Sequence, residues 1–411
     1  MIVLSKLVKK LFVQITKIYY PLIYLIVGFG SLVKVIYAWT REIFPSGPDA
    51  NGFIPSAENF WKYGFFSDSV DVPTIYSAGY PYFLSFIVGI FDNDWYKGAQ
   101  LIQILIFGIG TLFFAKSLVR MHFRSSSLLF VVLVSFHPAW ITATSMAMYE
   151  TLLFFLLSLT VYTMSNALLL NTVASSINSA LSLGLIFGLL ALVHPRGLLF
   201  CLPFLLTTAF IVQKKNLFFT IFLSIFSPIA WATMYRSSRD SGIFNLGGNV
   251  WASSTWGRKP IDACLSLECT LESWLNKPLE NIGYSLENAW KFLTPYSGPL
   301  VKGTWFHNIS AQYYLAKSGF LTFSITVSYI LMISGLLYFS YAVLRLYTAL
   351  PYTERSMKIF TQTIFSSVVL MLLTGALTYG DSRHRLLAIP LIYVIIISSH
   401  MKFKNLAHKK Q

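Results

Sequence analysis

A single aspartate, Asp49, stands in a turn-forming stretch, Gly47-Pro48-Asp49-Ala50, shortly after the first long apolar run of the chain, Tyr19 to Trp39. That run is long enough to cross a hydrocarbon core of ~30 Å, which sets Asp49 near the boundary of water and lipid. A carboxylate there can take up a proton as a general base. The same composition also makes a plain turn, and the residues alone leave the two readings level. Polar residues that are costly in a bilayer collect near the expected outer ends of the apolar runs: Lys34, Glu150, His194, Arg196, Arg236, Arg239, Arg383, His384 and Arg385. Guanidinium groups at that depth bind a phosphate through two parallel hydrogen bonds, while an apolar groove beside them holds a lipid tail. Each arginine taken singly also reads as an interfacial side chain reaching toward headgroups. Their coincidence on one face favours a phosphate site. Glu150 opens a helix at Tyr149-Glu150-Thr151, so its expected role is to offset the helix dipole rather than to catalyse. Lys34, Glu58, Tyr80, Glu150 and His194 complete the candidate cavity.

Other motifs carry less. Asp92-Asn93-Asp94 has the form of a metal-holding Asp-x-Asp, but Asp94 directly precedes a helical run beginning at Trp95, and helix capping is the better account. Asp49 with Glu58 nine residues on makes no clear metal site, so no cofactor is assigned and the sequence does not support a divalent metal. No nucleotide-binding loop, dinucleotide fingerprint, zinc-spaced histidine pair or nucleophile elbow occurs in the chain. Cys264 and Cys269 both fall in a segment expected outside, where a bridge is permitted, and Cys201 reads as a buried apolar residue. Asn308-Ile309-Ser310 is a glycosylation acceptor pattern only in a secretory pathway.

The elements that must position these residues are apolar helices. Hydrophobic residues make up 55% of 411 and charged residues 11%, a balance that leaves too much apolar surface for a soluble domain of this size. The class is all-α and polytopic. Apolar runs give about ten spans, at 19–39, 99–119, 127–146, 149–169, 179–195, 197–213, 216–235, 319–344, 359–379 and 386–401. The run 80–91 is too short to cross and reads as a juxtamembrane helix. The basic N-terminal stretch lacks a small-residue cleavage site and reads as a retained anchor. Both termini then face the cytoplasm, and fifteen of the sixteen acidic residues fall outside, Glu354 being the exception. The formal net charge of +15 lies wholly on the inner face. Positive-inside topology with anionic lipid headgroups accounts for it, and nucleic acid is not needed as a partner. Three parts follow: a transmembrane module over 1–235 with an outer loop at 40–98, a large outer loop at 236–318, and C-terminal transmembrane helices with a basic tail over 319–411.

The order of features resembles the GT-C superfamily of integral membrane glycosyltransferases, particularly bacterial members similar to protein mannosyltransferases and the aminoarabinose transferase of lipid A. The resemblance covers most of the chain and runs through Asp49-Ala50, the aromatic stretch Ala57 to Phe66, Ala78-Gly79-Tyr80-Pro81, and Gln100 in a helix ending at a basic turn. It continues with Phe136-His137-Pro138, Tyr149-Glu150-Thr151-Leu152, Gly188-Leu189-Leu190, His194-Pro195-Arg196-Gly197, Arg236 to Arg239, Gly247-Gly248-Asn249 and Gly380-Asp381-Ser382-Arg383-His384-Arg385-Leu386. The chain departs from the pattern at Asn51-Gly52-Phe53 and in having His194-Pro195-Arg196 where an Arg-Pro pair is commoner. The resemblance implies an inverting transfer of a sugar from a polyprenyl-phosphate donor to a hydroxyl on a lipid, glycan or protein acceptor. It also implies a bacterial inner-membrane protein acting on its outer face, with Asp49 as base and Arg196, Arg236, Arg239, Arg383 and Arg385 on the donor phosphate. Two other readings stand beside it: a transporter or flippase of lipids or lipid-linked glycans, and an outer-face glycan polymerase or ligase.

Overall fold

The computed structural model describes residues 2–40, 50–64, 77–121, 123–170, 172–241, 272, 274–293, 334, 337–345, 355–377 and 384–400. Among them every regular element is helical. The helices are α1 (Ile2–Trp39), α2 (Ala50–Tyr63), α3 (Gly79–Phe91), α4 (Trp95–Arg120), α5 (Arg124–Ser135), α6 (Pro138–Ala143) and α7 (Glu150–Leu170). They continue as α8 (Val173–Val193), α9 (Arg196–Ile211), α10 (Lys215–Ser241), α11 (Pro278–Leu293), α12 (Arg355–Leu377) and α13 (Ala388–His400), with 3-10 turns at Asp92–Asp94 and His384–Leu387. Among the described residues six stretches are long and apolar enough to cross a bilayer: Tyr19–Trp39, Gly79–Arg120, Glu150–Leu170, Val173–Val193, Lys215–Tyr235 and Arg355–Gly375. This is an all-α membrane protein, a form in which each helix satisfies its own backbone where water is absent.

Local chemistry sets where these helices begin and end. Gly79–Arg120 is not one rod, because Asp92 turns the chain at φ 44°, the one positive φ outside glycine among the described residues. α3, with 13 residues, spans about 20 Å and falls short of the hydrocarbon core, whereas the 26 residues of α4 reach ~39 Å. Asp94 does occupy the residue before α4, but its carboxylate makes no capping hydrogen bond. It pairs with Lys97 at 3.5 Å in an exposed contact instead. The segment 127–146, expected as one span, is two helices. Pro138 has no N–H and disfavours helical geometry at the residue before it, so His137 is extended at ψ 122° and caps a new helix, α6, by accepting from Ala139 N–H at 3.2 Å. α8 begins at Val173, six residues before the expected start, with the Thr172 hydroxyl accepting from Ser175 N–H at 3.1 Å.

Helix pairings fix which ends lie together. α4 and α7 run parallel, with Phe107 on Phe154 and Phe113 on Tyr162 at ring separations of 4.9 and 5.1 Å. α8 and α10 also run parallel, Gly184 against Ile225 and Gly188 against Ile229. α1 is antiparallel to α4 and parallel to α5, with Tyr19 hydrogen-bonded to Ser127, and Tyr37 to Thr142 at 3.2 Å. The starts of α3, α4, α7 and α9 and the ends of α1, α8 and α10 therefore share one end of the bundle. Lys116, Arg120, Lys214 and Lys215 mark the other. Between them Phe107, Trp140 and Phe154 form a buried aromatic layer.

Candidate functional site

The shared end is built on two glutamines of α4. After α6 the chain runs irregularly through 144–149, and its carbonyls need donors at a depth where water is scarce. Gln100 Nε2 donates to Ser145 O at 3.0 Å, and Gln103 Nε2 donates to Thr144 O at 3.2 Å and Met146 O at 2.8 Å. The Oε1 of Gln103 in turn accepts from the Tyr80 hydroxyl at 2.7 Å. This holds Tyr149 and Glu150 at the start of α7. Gly79 makes the closeness of α3 possible: a Cβ there would stand 2.7 Å from backbone atoms of Leu192 and Val193, so only glycine lets α3 abut the end of α8.

Aromatic contacts then join α2, α3, α7 and α8. Phe53 of α2 meets Tyr80 at 5.1 Å and Tyr149 at 5.9 Å, both edge to face, and Tyr149 stacks on the His194 imidazole at 4.6 Å with 27° between planes. His194 ends α8 and starts α9, because its Nδ1 accepts from Arg196 N–H at 3.2 Å while Pro195 prevents a continuous helix. Arg196 is thereby the first residue of the 16-residue α9 and half-buried, and the next amides are engaged locally, Gly197 N–H on His194 O at 2.9 Å and Leu198 N–H on Pro195 O at 3.1 Å. What that end offers an anion is the positive pole of the helix dipole together with the Arg196 guanidinium. Glu150 is 1% exposed in the first turn of α7, within electrostatic reach of Tyr80. Its neighbour's hydroxyl, Thr151 Oγ1, and the indole N–H of Trp140 are buried with no partner among the described residues, so this region retains hydrogen-bonding capacity.

Of the residues singled out in the sequence, Tyr80, Glu150, His194 and Arg196 are thus brought together. Tyr80 is fully buried with its hydroxyl engaged, which makes it a support for the 144–149 segment rather than a group open to a ligand. Lys34 lies deeper. It is 1% exposed, donates to Gly30 O at 3.5 Å and to Ser135 O, and sits 4.8 Å from the Phe107 ring. Ser135 is the last residue of α5, so this ammonium supplies a donor to a carbonyl left over by the His137-Pro138 break. Glu58 is half-buried on α2. Arg236 and Arg239 belong to the last turns of α10, which ends on the His194 side, and Arg385 to the 3-10 turn that packs against α7; the side chains of these three lie outside the described set. Asp49 and Arg383 lie outside the described residues altogether, as do Cys264, Cys269 and Asn308. Cys201 is buried with a free thiol. Among the described residues no three His, Cys, Asp or Glu side chains are grouped to hold a metal.

Gln103 is not among the residues that the sequence singles out, and Tyr149 and Phe53 stand there only within longer motifs, not as site residues. A signal for the glutamine existed: Gln100 and Gln103, three apart in an apolar helix, fall on one face and need buried partners. No protein-family model matches the chain, and no curated protein matches it. The site's own geometry is therefore what bears on function.

Proposed function

We propose that the protein is a membrane glycosyltransferase that moves a sugar from a polyprenyl-phosphate donor to an acceptor hydroxyl. One observation carries the reading: Arg196 opens α9 directly after His194, which stacks on the Tyr149 ring, and so sets a guanidinium at the positive end of a helix dipole at one end of an apolar bundle. Such a corner suits a phosphate attached to a hydrocarbon tail. In this reading Arg196 and the helix end hold the phosphate, with Arg236, Arg239, Arg383 and Arg385 adding charge from neighbouring segments. Asp49 takes the proton of the acceptor hydroxyl as its oxygen bonds to the anomeric carbon. The bond from that carbon to the phosphate oxygen breaks, with inversion, and the arginines offset the charge that develops on the phosphate.

Chain connectivity supports Asp49 in this role. It directly precedes Ala50, the first residue of α2, and Phe53 of α2 rests on Tyr80 and Tyr149. The fuller arrangement of about ten spans, both termini in the cytoplasm and the site on the outer face of a bacterial inner membrane belongs to the same proposal, supported by the segregation of acidic from basic residues along the chain.

Purified protein supplied with a panel of polyprenyl-phosphate sugars and acceptor lipids should form glycosidic products detectable by mass spectrometry. Asp49→Asn, nearly isosteric, should lower the rate by ~10² to 10⁴ while donor binding persists. Transfer by Asp49→Asn at the normal rate removes Asp49 as the base. Absence of transfer by the unaltered protein across the panel points instead to a transporter.

A further inference from the structure

We infer that the groove between α1 and α4, at the basic end of the bundle, binds an anionic phospholipid of the surrounding bilayer, with an acyl chain in the groove and the phosphate on Lys116. The cavity measures about 200 Å³ and is walled by Tyr20, Ile23 and Tyr24 of α1 and by Leu112, Phe113 and Lys116 of α4. Because the two helices are antiparallel, Tyr20 stands near Lys116 and Tyr24 nearer Ile109, which lines the deep end. Seven residues separate Lys116 from Ile109, so the groove follows the bundle axis for about 10 Å.

Two observations select the occupant. The surface around the groove is apolar: Leu25 and Leu105, on the same two helices, are 67% and 61% exposed. The groove therefore opens sideways onto hydrocarbon rather than onto water, and an apolar chain is what reaches it. Among the described residues that wall it Lys116 is the charged one, and it lies one turn from the end of α4, at the end of the bundle that also carries Arg120, Lys214 and Lys215 and has no acidic residue among those described. Arg120 is engaged elsewhere, its guanidinium 4.6 Å from the Tyr162 ring, and among the described side chains Lys116 is the cation that lines the groove. An ammonium at the head of an apolar slot, flanked by tyrosines suited to the interface, matches a lipid whose headgroup carries net negative charge. The inference is independent of sugar transfer, since the proposed donor phosphate lies at the opposite end of the bundle.

Native mass spectrometry of the full-length protein, given equal amounts of palmitoyl-oleoyl phosphatidylglycerol and the matching phosphatidylcholine, tests it. Phosphatidylglycerol should be retained preferentially. Lys116→Gln should lower that preference about fivefold, the loss of one lysine's attraction to an anionic headgroup, and Lys116→Arg should keep it. Ile109→Trp, which fills the deep end without touching the charge, should also reduce retention. Equal retention of the two lipids by the unaltered protein overturns the site. Unchanged preference in Lys116→Gln overturns the role of the lysine. Unchanged retention in Ile109→Trp, or displacement of the lipid by glycerol phosphate at the same concentration, overturns the groove and reduces the contact to a headgroup at the surface.

Discussion

Arg196 and His194 divide two tasks that a substitution series can separate. The guanidinium is the candidate phosphate ligand, whereas the imidazole places it by capping α9. Arg196→Ala should lower kcat/KM for sugar transfer by ~10² to 10³, the effect of removing one donor from developing charge. Arg196→Lys should recover only part, because an ammonium lacks the planar fork that grips two oxygens. His194→Ala should lower thermal stability in detergent by about 1 kcal/mol, the usual cost of losing an N-cap, and His194→Asn should restore most of it by offering another side-chain acceptor. If the histidine reacts with substrate instead, Asn will rescue stability and leave transfer low, a pattern that a cap alone does not give.

At the level of elements, the segment 144–149 depends on Gln103, which joins Thr144, Met146 and Tyr80. Hydrogen bonds between membrane helices average ~0.6 kcal/mol. Tyr80→Phe removes one of these bonds and Gln103→Leu removes three, so unfolding of the purified protein should show the glutamine substitution costing at least twice as much. Gly79→Val should be worse than either for transfer, because its side chain drives α3 away from the end of α8. Hydropathy made most helices legible, since Glu150–Leu170 and Lys215–Tyr235 are continuous apolar runs with few charges. It could not register Pro138, whose effect lies in backbone geometry rather than polarity, and it trimmed the start of α8 because Ser175, Ser176 and Asn178 dilute the first turns without breaking them. The site was legible where a charge or ring stood at the end of a run, as with Glu150, His194 and Arg196. It was hidden where an uncharged side chain inside a helix does the positioning, as with Gln103. Lys34 illustrates the converse: its charge marks it in the sequence, yet its partner Ser135 is fixed only by how α5 ends.

For the whole molecule, the proposed orientation is open to direct measurement. Cysteines introduced near Ser253 and Ser310 should react with an impermeant thiol reagent added outside, and cysteines near Thr353 and Ala407 should react only after the membrane is opened. Labelling of the Ser253 position from the cytoplasm would reverse the bundle. Arg196 would then stand on the inner side, out of reach of an acceptor beyond the membrane.

The two His-Pro junctions leave a signature beyond sequence or activity. At His137 and at His194 the same nitrogen, Nδ1, accepts a backbone N–H two residues ahead, at 3.2 Å in both cases. A neutral imidazole that accepts at one nitrogen carries its hydrogen on the other. Both rings are therefore held as a single tautomer, protonated at Nε2, and nitrogen-15 spectra of selectively labelled protein should show two histidines locked in that form. Loss of one locked signal on adding a ligand would tell which of the two junctions the ligand had opened.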